Sequence, residues 1–292
     1  MAGFNPRKMI TDRIIELMTE HGTDWIKPFG GLMGLPRSVE TDKPYRGINT
    51  ILLWSEEYAD PRWGTYKAWK RRGAQVRKGE KSTRISYYGT AKTESEEGKE
   101  ESFKFLKLYS VFNAEQVDGV ESLDMPEMVD ETEVLEEVDA LLARAFENMG
   151  VTVVHSDSGA AYYRPTSDTI HMPERQHFIA TKTSSATENY YSTKCHEGTH
   201  ATGHESRLDR LGSYHKNRDR AFEELIAEIG AAYLCVELGI SVEPRADHAK
   251  YLNGWLQALS NDVSYITRAA TAASKAVDFL LNAADQDTAK AA

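Results

Sequence analysis

Cysteine is scarce. Only Cys195 and Cys235 occur in 292 residues, so no disulfide framework holds the chain together. Stability has to come from an ordinary hydrophobic core, and a reducing cytosol is the expected setting. Both cysteines are read as core residues, with Cys195 beside His196 but pointing off its face. No apolar run approaches the roughly 20 residues that a membrane-spanning helix needs. The N-terminal stretch Met1-Ala-Gly-Phe-Asn-Pro-Arg-Lys8 has no apolar signal region. The expectation is a cytoplasmic protein with no membrane contact. An internal repeat is missing too. So is an overall basic charge: the net charge is −10, which excludes a protein that coats nucleic acid by bulk positive charge.

What is present is globular. A hydrophobic content of 40% suits one large or two ordinary domains. The charge is uneven. Residues 1–118 carry 20 Lys/Arg against 17 Asp/Glu, a balance of +3, and residues 119–292 carry 15 against 28, a balance of −13. Such asymmetry points to two jobs.

The strongest pattern is His196-Glu-Gly-Thr-His200, an H-E-x-x-H string within Tyr191 to His204. Residues four apart lie on one helix face, so both imidazoles can grip one metal ion, and Glu197 flanks the open coordination position as a general base. The expected metal is Zn2+, which in a catalytic site takes three protein ligands and a water. His204 is one candidate third ligand. In a continuous helix it sits about 6 Å further along the axis than His200. A break at Gly203 is the feature of one large protease class, but its third histidine position holds Ser206 here. The other candidates lie in Phe222-Glu-Glu-Leu-Ile-Ala-Glu-Ile-Gly230. Glu224 is assigned as ligand, and Glu228, one turn on, as the outer carboxylate that holds a histidine N–H. Glu223 is the fallback ligand if the helix is rotated; otherwise it suits a solvated acidic face.

In chain order, Asn5-Pro6 opens a helix that ends at Gly22, and a Gly/Pro-rich loop follows from Trp25 to Pro36. Tyr45 to Thr50 leads into a second helix reaching about Tyr58. Pro61 to Gly73 reads as a loop and short helix. Two strands are expected at Ser82–Gly89 and Ser102–Asn113, joined by a charged, mobile hairpin loop over 94–101. Between residues 62 and 84, Arg62, Lys67, Lys70, Arg71, Arg72, Arg77, Lys78, Lys81 and Arg84 meet one acid, Glu80, and Trp63, Tyr66 and Trp69 are interleaved. Cations for phosphates and aromatic faces for unstacked bases are what single-strand binding requires. The same aromatic spacing also fits the buried side of a helix. No recognition helix for a duplex is identifiable.

The acidic, Pro/Gly-punctuated stretch from Glu115 to Glu133 reads as a linker. A helix over 131–148 follows, then short strands at 151–155, 161–164 and 169–171, whose edge suits an extended peptide. His155, His171 and His177 are read as structural or surface residues. Helices are expected at 186–202, 218–238, 246–259 and 263–284. Tyr214 and His215, in the loop between the first two, are candidate oxyanion donors. The tail after Asp285 should fray.

These blocks resemble a known family. Tyr45-Arg-Gly-Ile-Asn49, Trp63…Tyr66-Lys67, Val76-Arg-Lys-Gly-Glu-Lys81 and Val111-Phe-Asn-Ala-Glu-Gln116 are similar to the ArdC-type domain of plasmid and phage antirestriction proteins. Tyr190-Tyr191, His196 to His204, Arg207-Leu208, Glu223 to Ala232 and Trp255 to Leu259 resemble its zincin-like metallopeptidase domain. The resemblance covers nearly the whole chain in fixed order. It implies an α+β protein: an N-terminal α+β single-stranded-DNA-binding domain at 1–118, an acidic linker at 119–130, and a mostly helical zincin-like domain with a small sheet at 131–292. It also implies protection of entering DNA from host restriction, a host protein or peptide as substrate, and Arg46 among the DNA-binding residues. Gly198 departs from the family, where a bulkier residue is common, at a cost of about 1 kcal/mol in helix propensity. Two alternatives stay open: a DNA-binding protein whose metal is structural, or a cytosolic zinc protease whose N-terminal domain recognises protein.

Overall fold

The computed structural model describes residues 5–21, 35–56, 58, 60–94, 100–121, 123, 135–157, 160–178, 184–211, 220–240 and 249–286. Residues 25–34 of the loop from Trp25, residues 95–99 of the hairpin, residues 122 and 124–130 of the linker, Tyr214, His215 and the final tail lie outside them.

The described helices are α1 (Pro6–His21), α2 (Ile48–Trp54), α3 (Tyr66–Arg71), α4 (Glu136–Met149), α5 (Ala186–Ala201), α6 (Arg220–Glu237), α7 (Ala249–Asn261) and α8 (Tyr265–Asp285). The strands are β1 (Arg37–Ser38), β2 (Arg62–Gly64), β3 (Gln75–Val76), β4 (Thr83–Glu94), β5 (Glu100–Asn113), β6 (Val117–Asp118), β7 (Thr152–Ser156), β8 (Tyr162–Arg164) and β9 (Thr169–Pro173). The fold is α+β, as expected.

A four-stranded sheet of order β1-β2-β5-β4 carries the long hairpin, in register from Thr83↔Val111 to Glu94↔Glu100. The strands run on past Gly89 and start before Ser102, so Glu94, Glu100 and Glu101, expected in the loop, are paired. Trp63 lies in β2, opposite Asn113, rather than in a helix with Tyr66 and Trp69. The second helix stops at Trp54, short of Tyr58. A two-stranded pair β3-β6 and a three-stranded sheet β7-β9-β8 complete the strands.

The local signals that end elements behave as their chemistry dictates. Thr65 caps α3 by accepting from the Ala68 N–H at 3.2 Å. Three acids sit in the first turn of α4, and Gly150 ends it at φ 73°. Apolar burial then joins the two ends of the chain. Ile10, Ile14 and Leu17 of α1 and Ile48, Ile51 and Leu52 of α2 share one core with residues of α4 to α8. Smaller clusters lie under the four-stranded sheet: Leu53, Trp63, Ile85 and Val111 in one, Val39, Trp69, Val76 and Val117 in another.

Gly47 is a join between the early and late parts. Its N–H donates to Ser274 Oγ at 2.8 Å and its carbonyl accepts from the Tyr233 hydroxyl at 2.8 Å. Its backbone sits at φ 60°, ψ −143°, a region essentially reserved for glycine.

Candidate metal centre

The centre begins with a well-started helix. Ser185 caps α5 through a capping box, its hydroxyl accepting from Glu188 N–H while the Glu188 carboxylate accepts from Ser185 N–H at 2.7 Å. α5 is buried along most of its length, which is why its apolar periodicity is weak in the sequence. It packs on α6 at a very close crossing. A Cβ on Gly230 would meet Thr199 Cγ2 at 2.5 Å, so only glycine fits there. Gly198 has a similar reason: its missing Cβ leaves room for the Phe146 ring of α4 at 3.1 Å.

That crossing brings three groups together. His196 Nε2 lies 3.6 Å from Glu224 Oε2, and His200 Nε2 lies 3.7 Å from the same oxygen. One donor atom from each of the three residues falls within 4.8 Å of the others. The donor atoms of a tetrahedral zinc site stand about 3.3–3.4 Å apart, as follows from metal–ligand distances near 2.0–2.1 Å. The nitrogen–oxygen gaps are too long for good hydrogen bonds and of the size a small cation fills. Two imidazoles and one carboxylate suit a divalent ion of borderline softness.

Electrostatics favour a cation at this point. Burial works to push the His200 imidazole down, yet its hydrogen bond to Glu223 and the nearby carboxylates of Glu224 and Glu197 carry it up to about 10. Burial likewise pushes the Glu224 carboxyl up, but the two histidines hold it far below the usual range. Glu197 is 3% exposed beside His196. Several carboxylates around two imidazoles need a positive charge among them, either protons or a metal ion.

The outer partners differ from expectation. Glu228 Oε2 stands 3.9 Å from His196 Nδ1, longer than a hydrogen bond. Glu223, read as a ligand in reserve or a solvated acid, is 6% exposed and sits 3.2 Å from His200 Nδ1. Arg210 fixes it in turn, donating from Nη2 at 3.0 Å and Nε at 3.2 Å, and also donates to the Thr199 carbonyl and the Thr202 hydroxyl. The sequence reading missed Arg210; an arginine in the turn after the metal helix was the available signal. His204 stays out of the cluster and pairs with the Ser206 hydroxyl at 2.8 Å.

The expected DNA-binding residues do not form one surface. Trp63 and Trp69 are each 2% exposed and belong to the core, the indole N–H of Trp69 donating to the Phe112 carbonyl at 3.0 Å. Neither offers a face to a base, which corrects that expectation. Tyr66 is 46% exposed, and Lys67, Lys70 and Lys78 are exposed on the same part of the chain. Arg71 pairs with Glu40, Arg72 donates to the Val39 carbonyl, and Arg77 pairs with Glu80. Arg46 reaches instead to Glu237 and Asp278, tying α2's lead-in to α6 and α8. Three exposed aromatics that the sequence did not single out are on the hairpin: Tyr87, Tyr88 and Tyr109 are 52, 49 and 43% exposed. Among the described residues, no helix is long and apolar enough to cross a membrane.

Comparison with known proteins agrees with the two-part layout. Residues 4–112 match the family described as the N-terminal domain of anti-restriction factor ArdC, and residues 137–272 match a zincin-like metallopeptidase family. The chain is similar to the antirestriction protein ArdC from the R388 plasmid. Its metal-free crystal structure superposes with a TM-score of 0.82 at 39% identity, covering 96% of this chain and 98% of that one. Its Mn(II)-bound crystal structure gives 0.78 at 38%, covering 98% and 100%. A protein named DNA primase TraC from Escherichia coli is 38% identical over 94% of this chain, but the chain spans only 27% of that longer protein. The uncharacterized protein y4eC of Sinorhizobium fredii is 34% identical, over 93% of this chain and 90% of its own length.

Proposed function

Since the chain belongs to the ArdC family of antirestriction proteins, we propose that it binds single-stranded DNA with its N-terminal part and hydrolyses peptide bonds at a zinc ion held by His196, His200 and Glu224. The observation that carries this reading is the convergence of three donor atoms from α5 and α6 within 4.8 Å. A relative of 38% identity has been crystallised with Mn(II), which supports a divalent ion as the metal of this chain. In this reading the ArdC-like unit is 1–118, the acidic linker 119–130, and the metal-bearing unit 131–292. The setting is the cytoplasm, where a mobile element's DNA would be protected.

When bound, the zinc ion supplies Lewis-acid polarisation of a carbonyl and an acidified water. Glu197 takes the water's proton and returns it to the leaving amine. Glu223 holds His200 in the tautomer that presents Nε2 inward, with Arg210 locking the carboxylate. Glu228 serves His196 less directly. For DNA, Lys67, Lys70, Arg71, Arg72, Arg77 and Lys78 supply phosphate contacts and Tyr66 a stacking face. Trp63 and Trp69 act only as core residues of the part that carries this stretch, and Arg46 holds α2's lead-in to α6 and α8.

Metal analysis and a peptidase assay test the metal half. Wild type should carry one zinc per chain, Glu224→Ala should lose it, and Glu197→Gln should keep it while losing hydrolysis by about 100-fold or more. If wild type holds zinc but no peptide substrate is cut, and Glu197→Gln changes nothing, the site is structural. For the DNA half, binding that ignores both salt and Lys70→Glu/Arg71→Glu would remove this surface from the account.

A further inference from the structure

A groove of about 740 Å3 lies between β4 and α8, at the seam of the early and late parts of the chain. Tyr88 lines it from the hairpin, Ile48 and Leu208 form apolar floor, Arg268 and Lys275 supply charge, and Arg210 borders it while held on Glu223. Its described lining includes no carboxylate. This is separate from the basic stretch around Lys67 and from the metal ligands, none of which line it.

We propose that this groove holds the sugar–phosphate backbone of a single-stranded nucleic acid, with one base stacked on Tyr88. The inference rests on the DNA-binding reading above and gives it a second, specific contact surface. Arg268 and Lys275, with no carboxylate in the described lining, complement a chain of phosphates, while the Arg210 charge is taken up by Glu223. Tyr88 is 49% exposed, so it has a ring face to offer a base. Lys275 is exposed on α8. Arg268 pairs with Asp262 at 2.6 Å but keeps 57% of its side chain in solvent, and such surface pairs exchange readily for a phosphate.

A peptide substrate fits the groove less well, because of where it meets the metal cluster. The groove reaches Arg210, Arg210 holds Glu223, and Glu223 meets His200 at Nδ1. The metal-facing atom of His200 is Nε2, on the other side of the ring. A scissile bond must sit on the Nε2 side. An occupant of the groove lies behind the histidine and cannot present one.

The test is fluorescence anisotropy of a labelled 20-nucleotide oligothymidylate with the full chain, across a salt series. Lys275→Glu/Arg268→Glu should weaken binding at least about tenfold and flatten the salt slope. Tyr88→Ala should weaken it about fivefold or more, and Tyr88→Phe should bind as wild type does. If the double variant melts early, the exposed Lys275→Glu decides alone, with an expected loss of about threefold. No binding by wild type removes the DNA-binding reading itself. Binding by wild type that all the groove variants preserve overturns the groove and leaves that reading standing. Unchanged oligonucleotide binding with a raised KM for peptide hydrolysis also overturns it, and assigns the groove to an acidic peptide.

Discussion

His200 is positioned from two directions, and the second was the harder to foresee. Its Nε2 faces Glu224, which helical spacing from Glu228 and the H-E-x-x-H string made legible. Its Nδ1 meets Glu223, the residue next door. Adjacent residues on a helix are only about 100° apart, so a sequence cannot say which of two neighbouring acids faces inward. The deciding partner, Arg210, comes from a turn with no periodicity to read. Replacing Glu223 with Gln should weaken metal binding about 10- to 100-fold while the fold survives, as competition against a coloured chelator would measure. Unchanged affinity would demote Glu223 to a packing role. The tryptophans teach a related lesson. Trp63 and Trp69 stand among cations in the sequence, but one is in a strand and the other in a helix, and both rings turn inward. Interleaved charge and aromatics cannot reveal that inversion.

Asp168 gives a residue-level handle on acid stability. It accepts from Arg207 Nη1 at 2.8 Å and from the Tyr163 hydroxyl at 2.6 Å, bridging the turn after α5 to β8. Burial works to raise its carboxyl, and these hydrogen bonds override it, leaving it below the usual value. A depressed folded pKa means stability that is whole above the unfolded value, near 3.9, and lost as pH falls through the folded one. Asp168→Asn should therefore cost about 1.5–3 kcal/mol at neutral pH, and the gap to wild type should close below about pH 4 in urea melts. A constant gap down to pH 3 would contradict this.

At the scale of elements, the α5–α6 crossing sets the ligand geometry. Both helices were legible to within a few residues, α5 from the proline-free stretch around the H-E-x-x-H string and α6 from its apolar run, and so were the three short strands before them. Their separation was not. It depends on Gly230 facing Thr199, a contact between residues 31 apart that no local pattern reports. Gly230→Ala improves helix propensity by about 1 kcal/mol but forces overpacking worth about 1–3 kcal/mol. The expected result is a lower melting temperature and weaker metal binding, both partly rescued by Thr199→Ser, which removes the clashing methyl. A variant as stable as wild type would show that the helices separate without strain.

For the whole molecule, the sequence divided the chain by charge and composition, and that division hides how closely its parts join. α1 and α2 lend their apolar faces to the core of the late helices, and Arg46 and Gly47 fasten α2's lead-in to α6 and α8. Such contacts span more than 180 residues of sequence, beyond the reach of periodicity or capping signals. A block that the resemblance linked to DNA thus serves to clasp the two parts together. Gly47→Ala meets no neighbour closer than 3.8 Å, so its cost is backbone strain alone, about 1–3 kcal/mol. Denaturant melts should show that loss, with faster hydrogen exchange on both sides of the seam. An unchanged melt would mean that the clasp contributes nothing.

The convergence of α5 and α6 on one ion carries the functional account, and a crystal structure of the zinc-soaked protein, with anomalous data at the zinc edge, addresses it most directly. The predicted result is one strong peak about 2.0–2.2 Å from His196 Nε2, His200 Nε2 and a carboxylate oxygen of Glu224, with a position left open toward Glu197. A peak ligated by Glu223 in place of Glu224, a fourth protein ligand closing the site, or no peak at the histidine pair would contradict it.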